Sequence, residues 1–135
     1  MQREPVKVIM DSNALFVPFQ FRIDVFAELE QLLQRNFELI LLSPVKKEME
    51  LLVLNRSPKL RKTTRFALQL AEKCRCVAVE AAPPSLVDDV IARIAKEWDT
   101  PVFTNDRQLK KRLRDISVPV IYVRQKSHLA IDGMV

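Results

Sequence analysis

Glycine is almost missing from this sequence: its 135 residues contain one, Gly133, close to the end of the chain. That removes the glycine-rich loops that cradle phosphates, the G-x-G-x-x-G turn and the G-x-S-x-G elbow of serine hydrolases. Histidine is equally scarce. With His128 alone, a paired-histidine acid/base mechanism within one chain is excluded. Cys74 and Cys76 are the only cysteines, too close together to staple a fold and without the histidines a zinc site would need. Both thiols are expected to pack on a strand. No run approaches the roughly 20 apolar residues of a membrane span, and Met1 to Pro5 leads into the next apolar run without a signal-type stretch. One soluble, cytoplasmic domain over residues 1–135 is the expectation, since a single core usually holds about 100 to 200 residues.

Charge is abundant and unevenly spread. The net charge is +5. Residues 46 to 65 carry Lys46, Lys47, Arg56, Lys59, Arg61, Lys62 and Arg65 against Glu48 and Glu50, a local +5. Residues 107 to 126 carry Arg107, Lys110, Lys111, Arg112, Arg114, Arg124 and Lys126 against Asp115, a local +6, which leaves the remainder of the chain at −6. Basic segments beside an acidic remainder suit a polyanion held near acids, because cationic side chains displace the counterions of a phosphate backbone. Two solvated helix faces would look the same in composition.

Val6 to Met10 is a β-branched apolar run and reads as a buried strand. Ile23 to Arg35 places Phe26, Leu29 and Leu33 at helical spacing. Phe37 to Leu42 is a second strand, ended by Ser43-Pro44, a helix-start signal that Ser57-Pro58 repeats. Two helices, to about Arg56 and about Lys73, therefore precede a third strand at Cys74 to Val79. Pro83 to Trp98 is an amphipathic helix, Pro101 to Thr104 a fourth strand, Asp106 to Asp115 a basic helix and Pro119 to Val123 a fifth strand. Short strands alternating with helices predict an α/β fold, a three-layer α/β/α sandwich around a central parallel sheet of about five strands. Residues 124–135 are read as a polar C-terminal tail with a turn at Asp132-Gly133.

In an open parallel sheet, ligands bind beyond the carboxyl ends of the strands. Asp11 follows the first strand, Glu48 lies one turn into the helix after the second, Asp88 opens the helix after the third, and Asp106 stands two residues past the fourth. Each has an ordinary structural explanation. Asp11 and Asp106 could cap the turns they precede, Ser85 to Asp88 has capping-box spacing, and Glu48 could be solvated. Four carboxylates converging on one edge would repel unless a cation sat between them, and the available donors are oxygen, which suits Mg²⁺ or Mn²⁺. Asn13 and Thr104 add neutral oxygens. On a helical wheel Asp88 flanks the apolar stripe of Val87, Val90, Ile91, Ile94 and Trp98, while Asp89 points away from it, toward solvent or substrate.

The segments Val-Ile-Met-Asp-Ser-Asn-Ala-Leu, Ser-Pro-Val-Lys-Lys-Glu-Met, Val-Asp-Asp-Val-Ile-Ala-Arg-Ile-Ala and Val-Phe-Thr-Asn-Asp-Arg-Gln-Leu, in this order, resemble the PIN domain nucleases over nearly the whole chain. The ending, from Lys-Lys-Arg-Leu-Arg to Val-Pro-Val-Ile-Tyr-Val-Arg-Gln-Lys, looks more like the branch that processes small-subunit ribosomal RNA, and its archaeal relatives, than the VapC-type toxins. The resemblance implies a doubly wound sandwich and Mg²⁺- or Mn²⁺-dependent hydrolysis of RNA phosphodiesters. Asp11, Glu48, Asp88 and Asp106 match the family's four acids, as catalytic and metal-holding residues, with Asn13 and Thr104 as supporting polar positions and Asp89 or Glu50 as further helpers. Lys46, Lys47, Arg107, Lys110 and Lys111 would hold the RNA backbone. A homodimer, and an antitoxin or ribosome-assembly protein as partner, follow from the family alone.

Four alternatives stand beside this reading: a VapC-type toxin, a non-catalytic RNA-binding or assembly module with the same fold, a receiver-type phosphoacceptor, for which Asp11 lacks an acidic neighbour, and a dehalogenase-like phosphatase. The last wants a second aspartate two residues after the first, where this chain has Asn13.

Overall fold

A computed structural model describes residues 4–55, 58–80 and 86–135. The elements run β1 (Val6–Met10), a 3₁₀ turn (Ser12–Phe16), α1 (Val17–Phe21), α2 (Val25–Leu33), β2 (Phe37–Leu42), α3 (Ser43–Asn55), α4 (Pro58–Glu72), β3 (Arg75–Val77), α5 (Val87–Trp98), β4 (Val102–Phe103), α6 (Arg107–Asp115), β5 (Val120–Arg124) and β6 (His128–Asp132). One sheet holds all six strands in the order β3-β2-β1-β4-β5-β6. The first five are parallel, and β6 pairs antiparallel to β5. Among the described residues no helix is long and apolar enough to cross a membrane.

The central strands are apolar because both of their faces are covered. Val8, Ile9 and Met10 of β1, Leu39 to Leu42 of β2, Val102 and Phe103 of β4 and Val120 and Ile121 of β5 are all buried. From the helices, Leu29, Val45, Met49, Val90, Ile91, Ile94, Leu109 and Leu113 pack into the same core. Local signals set the helix ends. Asp24 caps α2 by accepting from the Ala27 amide at 3.1 Å, and Gln34 and Asp99 close α2 and α5 in the left-handed region.

Two sequence expectations need correction. The tail read at residues 124–135 is a sheet strand over His128–Asp132, so the sheet has six strands rather than five. Its hairpin turns through Gln125 and Lys126, both with positive φ, closed by the Ser127 amide on the Arg124 carbonyl at 3.2 Å. Turns of this shape favour Asn and Gly, which are absent here, so the hairpin carries no sequence signal. Glu28 of α2 pins the edge strand by accepting from the Leu129 amide at 2.9 Å. The second correction concerns the region between β1 and α2. The sequence pattern predicts no element there, and it holds the 3₁₀ turn and α1, with Ala14, Leu15 and Val17 buried. The Ser57 and Ser85 helix starts lie outside the described residues.

The strand order reverses direction between β1 and β4, where connections leave to opposite sides and open a crevice at the carboxyl ends. Asp11 follows β1 and Thr104 follows β4 at that point.

Candidate active site

The sheet's hydrogen bonding runs one residue past its strands and fixes both residues. The Asp11 amide donates to the Phe103 carbonyl at 3.0 Å, and the Thr104 amide donates to the Ile121 carbonyl at 3.0 Å. Asp11 is 6% exposed and Thr104 fully buried. A carboxylate this enclosed needs donors, and Asp11 has three: the Ser12 amide on Oδ1 at 2.8 Å, and the Thr104 hydroxyl at 2.7 Å and Asn13 Nδ2 at 3.1 Å on Oδ2. Thr104 spends its one proton on Asp11, so its oxygen is left to accept, and the Asp106 amide donates to it at 3.1 Å. Asn13 also accepts from the Asn105 amide on Oδ1 at 3.0 Å, and Asn105 in turn accepts from the Val123 amide at 2.9 Å.

The other acids arrive at this edge from separate elements. Glu48, on the first turns of α3, accepts from the Ser12 hydroxyl at 3.1 Å. Asp106 is the N-cap of α6, with Oδ1 accepting from the Gln108 and Leu109 amides at 2.8 and 3.0 Å. Its cap role does not remove it from the site, because Oδ2 has no protein partner among the described residues. Asp88 is half-buried in the first turn of α5. Burial pushes the carboxyl groups of Asp11 and Asp88 above the usual aspartate range. The neighbouring negative charges push the same way, those of Glu48 and Asp106 on Asp11 and those of Asp11 and Asp106 on Asp88. Asp11 thus links the four sequence-selected acids, lying in the field of Glu48 and Asp106 and acting in turn on Asp88.

Asp88 and Asp89 divide their work differently from the sequence expectation. Asp89 faces solvent as expected, its side chain 44% exposed, but it is also engaged within the protein. Its Oδ2 accepts from the Leu86 amide at 3.1 Å, and its Oδ1 pairs with Arg112 of α6 at 2.6 Å. Arg112 holds its carboxyl below the usual range. At the start of α5 the side chain that reaches back to the N-cap amide is therefore that of Asp89 and not that of Asp88, which leaves the Asp88 carboxylate free of a capping role.

Among the described residues, no three acidic, cysteine or histidine side chains stand close enough to chelate a metal as they are arranged. The four-acid metal cluster expected from the sequence is therefore an acidic basin rather than a preassembled cage. Its chemistry suits a hard divalent cation: the donors are carboxylate and neutral oxygens, and two of the acids carry raised pKa values that a cation would relieve.

The basic residues divide as well. Lys46, Lys47, Arg107 and Lys111 are exposed. Lys110 is not an open arm: its ammonium lies 3.4 Å from the centre of the Tyr122 ring and 4.0 Å from Asp132. The two cysteines also differ from expectation. Only Cys76 lies within β3, where it is exposed. Cys74 precedes the strand, donates to the Leu70 carbonyl at 3.6 Å and has its thiol pushed up to about 11 by burial.

A family model described as a PIN-like domain matches residues 8–126. The chain belongs to the PIN-like domain family. Ribonuclease VapC4 of Methanocaldococcus jannaschii is 35% identical over 130 residues, covering 96% of this chain and 98% of that protein. Ribonuclease VapC9 of Archaeoglobus fulgidus is 26% identical over 125 residues, covering 92% and 87%. The solved structure of the PIN domain endonuclease Utp24 has a TM-score of 0.79 at 27% identity, covering 97% of this chain and 94% of its own. A chain from the VapBC2 complex of Rickettsia felis, at 14% identity and a TM-score of 0.62, shares the fold.

Within this PIN-like frame, Ser12 and Asn105 are the two site residues that sequence reasoning passed over. Each acts across the fold, Ser12 on Glu48 and Asn105 between Asn13 and β5. Their only sequence signal was adjacency, since each sits next to an acid already singled out.

Proposed function

We propose that the chain is a divalent-cation-dependent ribonuclease that hydrolyses RNA phosphodiester bonds at the Asp11 edge of the sheet. The observation that carries this reading is Asp11 itself: a buried aspartate at the switch point of a parallel sheet, held by Thr104, Asn13 and the Ser12 amide, in the field of two further acids. A carboxylate kept there works against stability, and such costs are retained where function needs them. Names of the VapC relatives and of the Utp24 structure support the same chemistry.

Asp11, Glu48, Asp88 and Asp106 would hold the cation, Mg²⁺ or Mn²⁺. When bound, it supplies Lewis-acid activation of water and charge stabilisation at the phosphodiester. Thr104 and Asn13 hold Asp11 Oδ2, the Ser12 amide holds Oδ1, and the Ser12 hydroxyl orients Glu48. Lys46, Lys47, Arg107 and Lys111, all exposed, would counter the charge of the phosphate backbone.

The decisive experiment incubates purified protein with structured and single-stranded RNAs in Mg²⁺, Mn²⁺ or chelator, beside Asp11→Asn. Cleavage is expected with metal only, and the substitution is expected to lower it by about 10² to 10³-fold, the scale of several kcal/mol of lost charge stabilisation. Chelator-resistant cleavage, or cleavage that survives Asp11→Asn, overturns the reading.

The biological setting has two forms. Processing of small-subunit ribosomal RNA rests on the basic ending of the sequence, and a toxin restrained by an antitoxin rests on the 35% identity to a protein named VapC4. Induced expression separates them: a toxin arrests growth and Asp11→Asn abolishes the arrest, whereas a processing enzyme leaves growth intact.

A further inference from the structure

The acidic basin continues into a second feature. Between α3 and the start of α5 lies a cleft of about 500 Å³ lined by Pro44, Lys47, Glu48, Leu51, Val79 and Val87, together with Ser43. Glu48 belongs to both: it lines this cleft and accepts from Ser12 beside Asp11. The walls are aliphatic, and Leu51 is 50% exposed on them. Lys47 stands exposed on the rim.

The polar floor is closed. The Ser43 hydroxyl donates to the Val79 carbonyl at 3.3 Å and accepts from the Val79 amide at 3.0 Å, so it has no proton to offer an incoming group. A ligand here meets aliphatic faces with one cation at the edge and one acid at the inner end. Such a cleft suits a flat, apolar-faced group attached to a phosphate, and it offers few groups to read that group's edge.

We infer that this cleft is a nucleobase subsite, in which Leu51, Val79 and Val87 take the base of the RNA nucleotide next to the phosphate presented at Glu48, while Lys47 meets that nucleotide's backbone. The inference rests on the nuclease reading in taking the polyanion to be RNA. Contact through aliphatic side chains gains from burial and discriminates weakly among the four bases, since sequence readout needs hydrogen bonds to base edges. The subsite therefore detects that a base is present more than which base it is.

The test uses single-stranded RNA hexamers with an abasic site placed at each position in turn, their binding to the full chain measured by fluorescence anisotropy. Asp11→Asn keeps the RNA intact and is compared with the same chain also carrying Leu51→Ser and Val87→Ser, with thermal melts to establish that both fold. In the Asp11→Asn chain, removal of the base at one position is expected to weaken binding roughly three- to tenfold. The doubly altered cleft is expected to lose that position dependence. Lys47→Ala, in the same background, should weaken all hexamers alike and leave the position dependence in place.

A flat abasic scan, or one equally position-dependent in both cleft forms, overturns the subsite. So does a cleft that binds an apolar peptide in preference to the hexamers. Cleavage by the unsubstituted chain is scored separately: a chain that cleaves with metal but gives a flat scan keeps the nuclease and loses the subsite. An inert chain with a position-specific base effect keeps the subsite and loses the nuclease.

Discussion

The carboxyl edge of the sheet and the face of α6 lie side by side and treat charge in opposite ways. On α6, Arg112 pairs with Asp89, Arg114 with Asp132 at 3.3 Å, and Lys110 lies over Tyr122 within 4.0 Å of Asp132. At the sheet edge, Asp11 and Asp88 have no ion pair among the described residues, although Arg112 is near enough to Asp88 to lower its pKa. Hydrogen bonds alone hold Asp11. Among the described residues, the lysines and arginines thus stay off the most enclosed acids and pair with surface acids in the first turn of α5 and at the end of β6. The difference teaches that the negative charge at the sheet edge is left without an ion pair among the described residues, whereas much of the basic charge on α6 is already spent on the fold.

If hydrogen bonds hold the acidic edge, the largest effect among structural changes should come from their hub. Thr104→Val keeps the shape of a fully buried side chain while leaving Asp11 Oδ2 one donor short and the Asp106 amide without its acceptor. A loss of about 1–3 kcal/mol is expected, the usual cost of unsatisfied buried groups, read as a lower urea midpoint with an unchanged slope. A neutral result would mean that Asp11 is held by something other than this network.

The α6 half of the comparison is sharpened by two adjacent lysines. Lys111→Ala should weaken RNA binding about threefold and reduce the salt slope by about one, as expected for one lost phosphate contact. Lys110→Ala should leave RNA affinity nearly unchanged and instead cost about 0.5–1 kcal/mol of stability through its aromatic contact. Equal losses of RNA affinity in both variants would show that the Tyr122 contact opens when RNA arrives.

The same contrast explains what could be read from the sequence. Asp11 and Asp106 were legible because adjacency to a strand end is a one-dimensional property that the fold preserves. Asp88 was separated from Asp89 by helical angle, but the capping role of Asp89 depends on α5 beginning at Val87 rather than four residues earlier. Ser12, Asn105 and the engagement of Lys110 were not legible, because each depends on a partner 18 or more residues away or on the unannounced strand β6. The hairpin that makes β6 relies on Gln125 and Lys126 in a backbone shape usually given to glycine. The cores of the strands and helices, by contrast, follow from apolar spacing that any packing of the chain must satisfy.

Asp88 and Asp89 offer the smallest effect and the sharpest division. Burial and negative neighbours raise the Asp88 carboxyl in the folded state, so the folded chain binds its proton more readily than the unfolded chain does. Stability from this group is complete below the unfolded value near 3.9 and falls as pH rises through the folded value. At Asp89, Arg112 and the Leu86 amide lower the folded value, so its contribution is present above the unfolded value and is lost as pH falls. Melting curves in chelator should therefore show Asp88→Asn as slightly more stable than the parent at pH 7, with the gain vanishing toward pH 4. Asp89→Asn should be slightly less stable at pH 7, and its deficit should shrink on acidification. Added Mg²⁺ should raise the parent more than Asp88→Asn and should treat the parent and Asp89→Asn alike, since only the first of these carboxylates is left for a cation from solution. Shifts of the same sign in both variants would erase the distinction between an acid kept for the site and one spent on the fold.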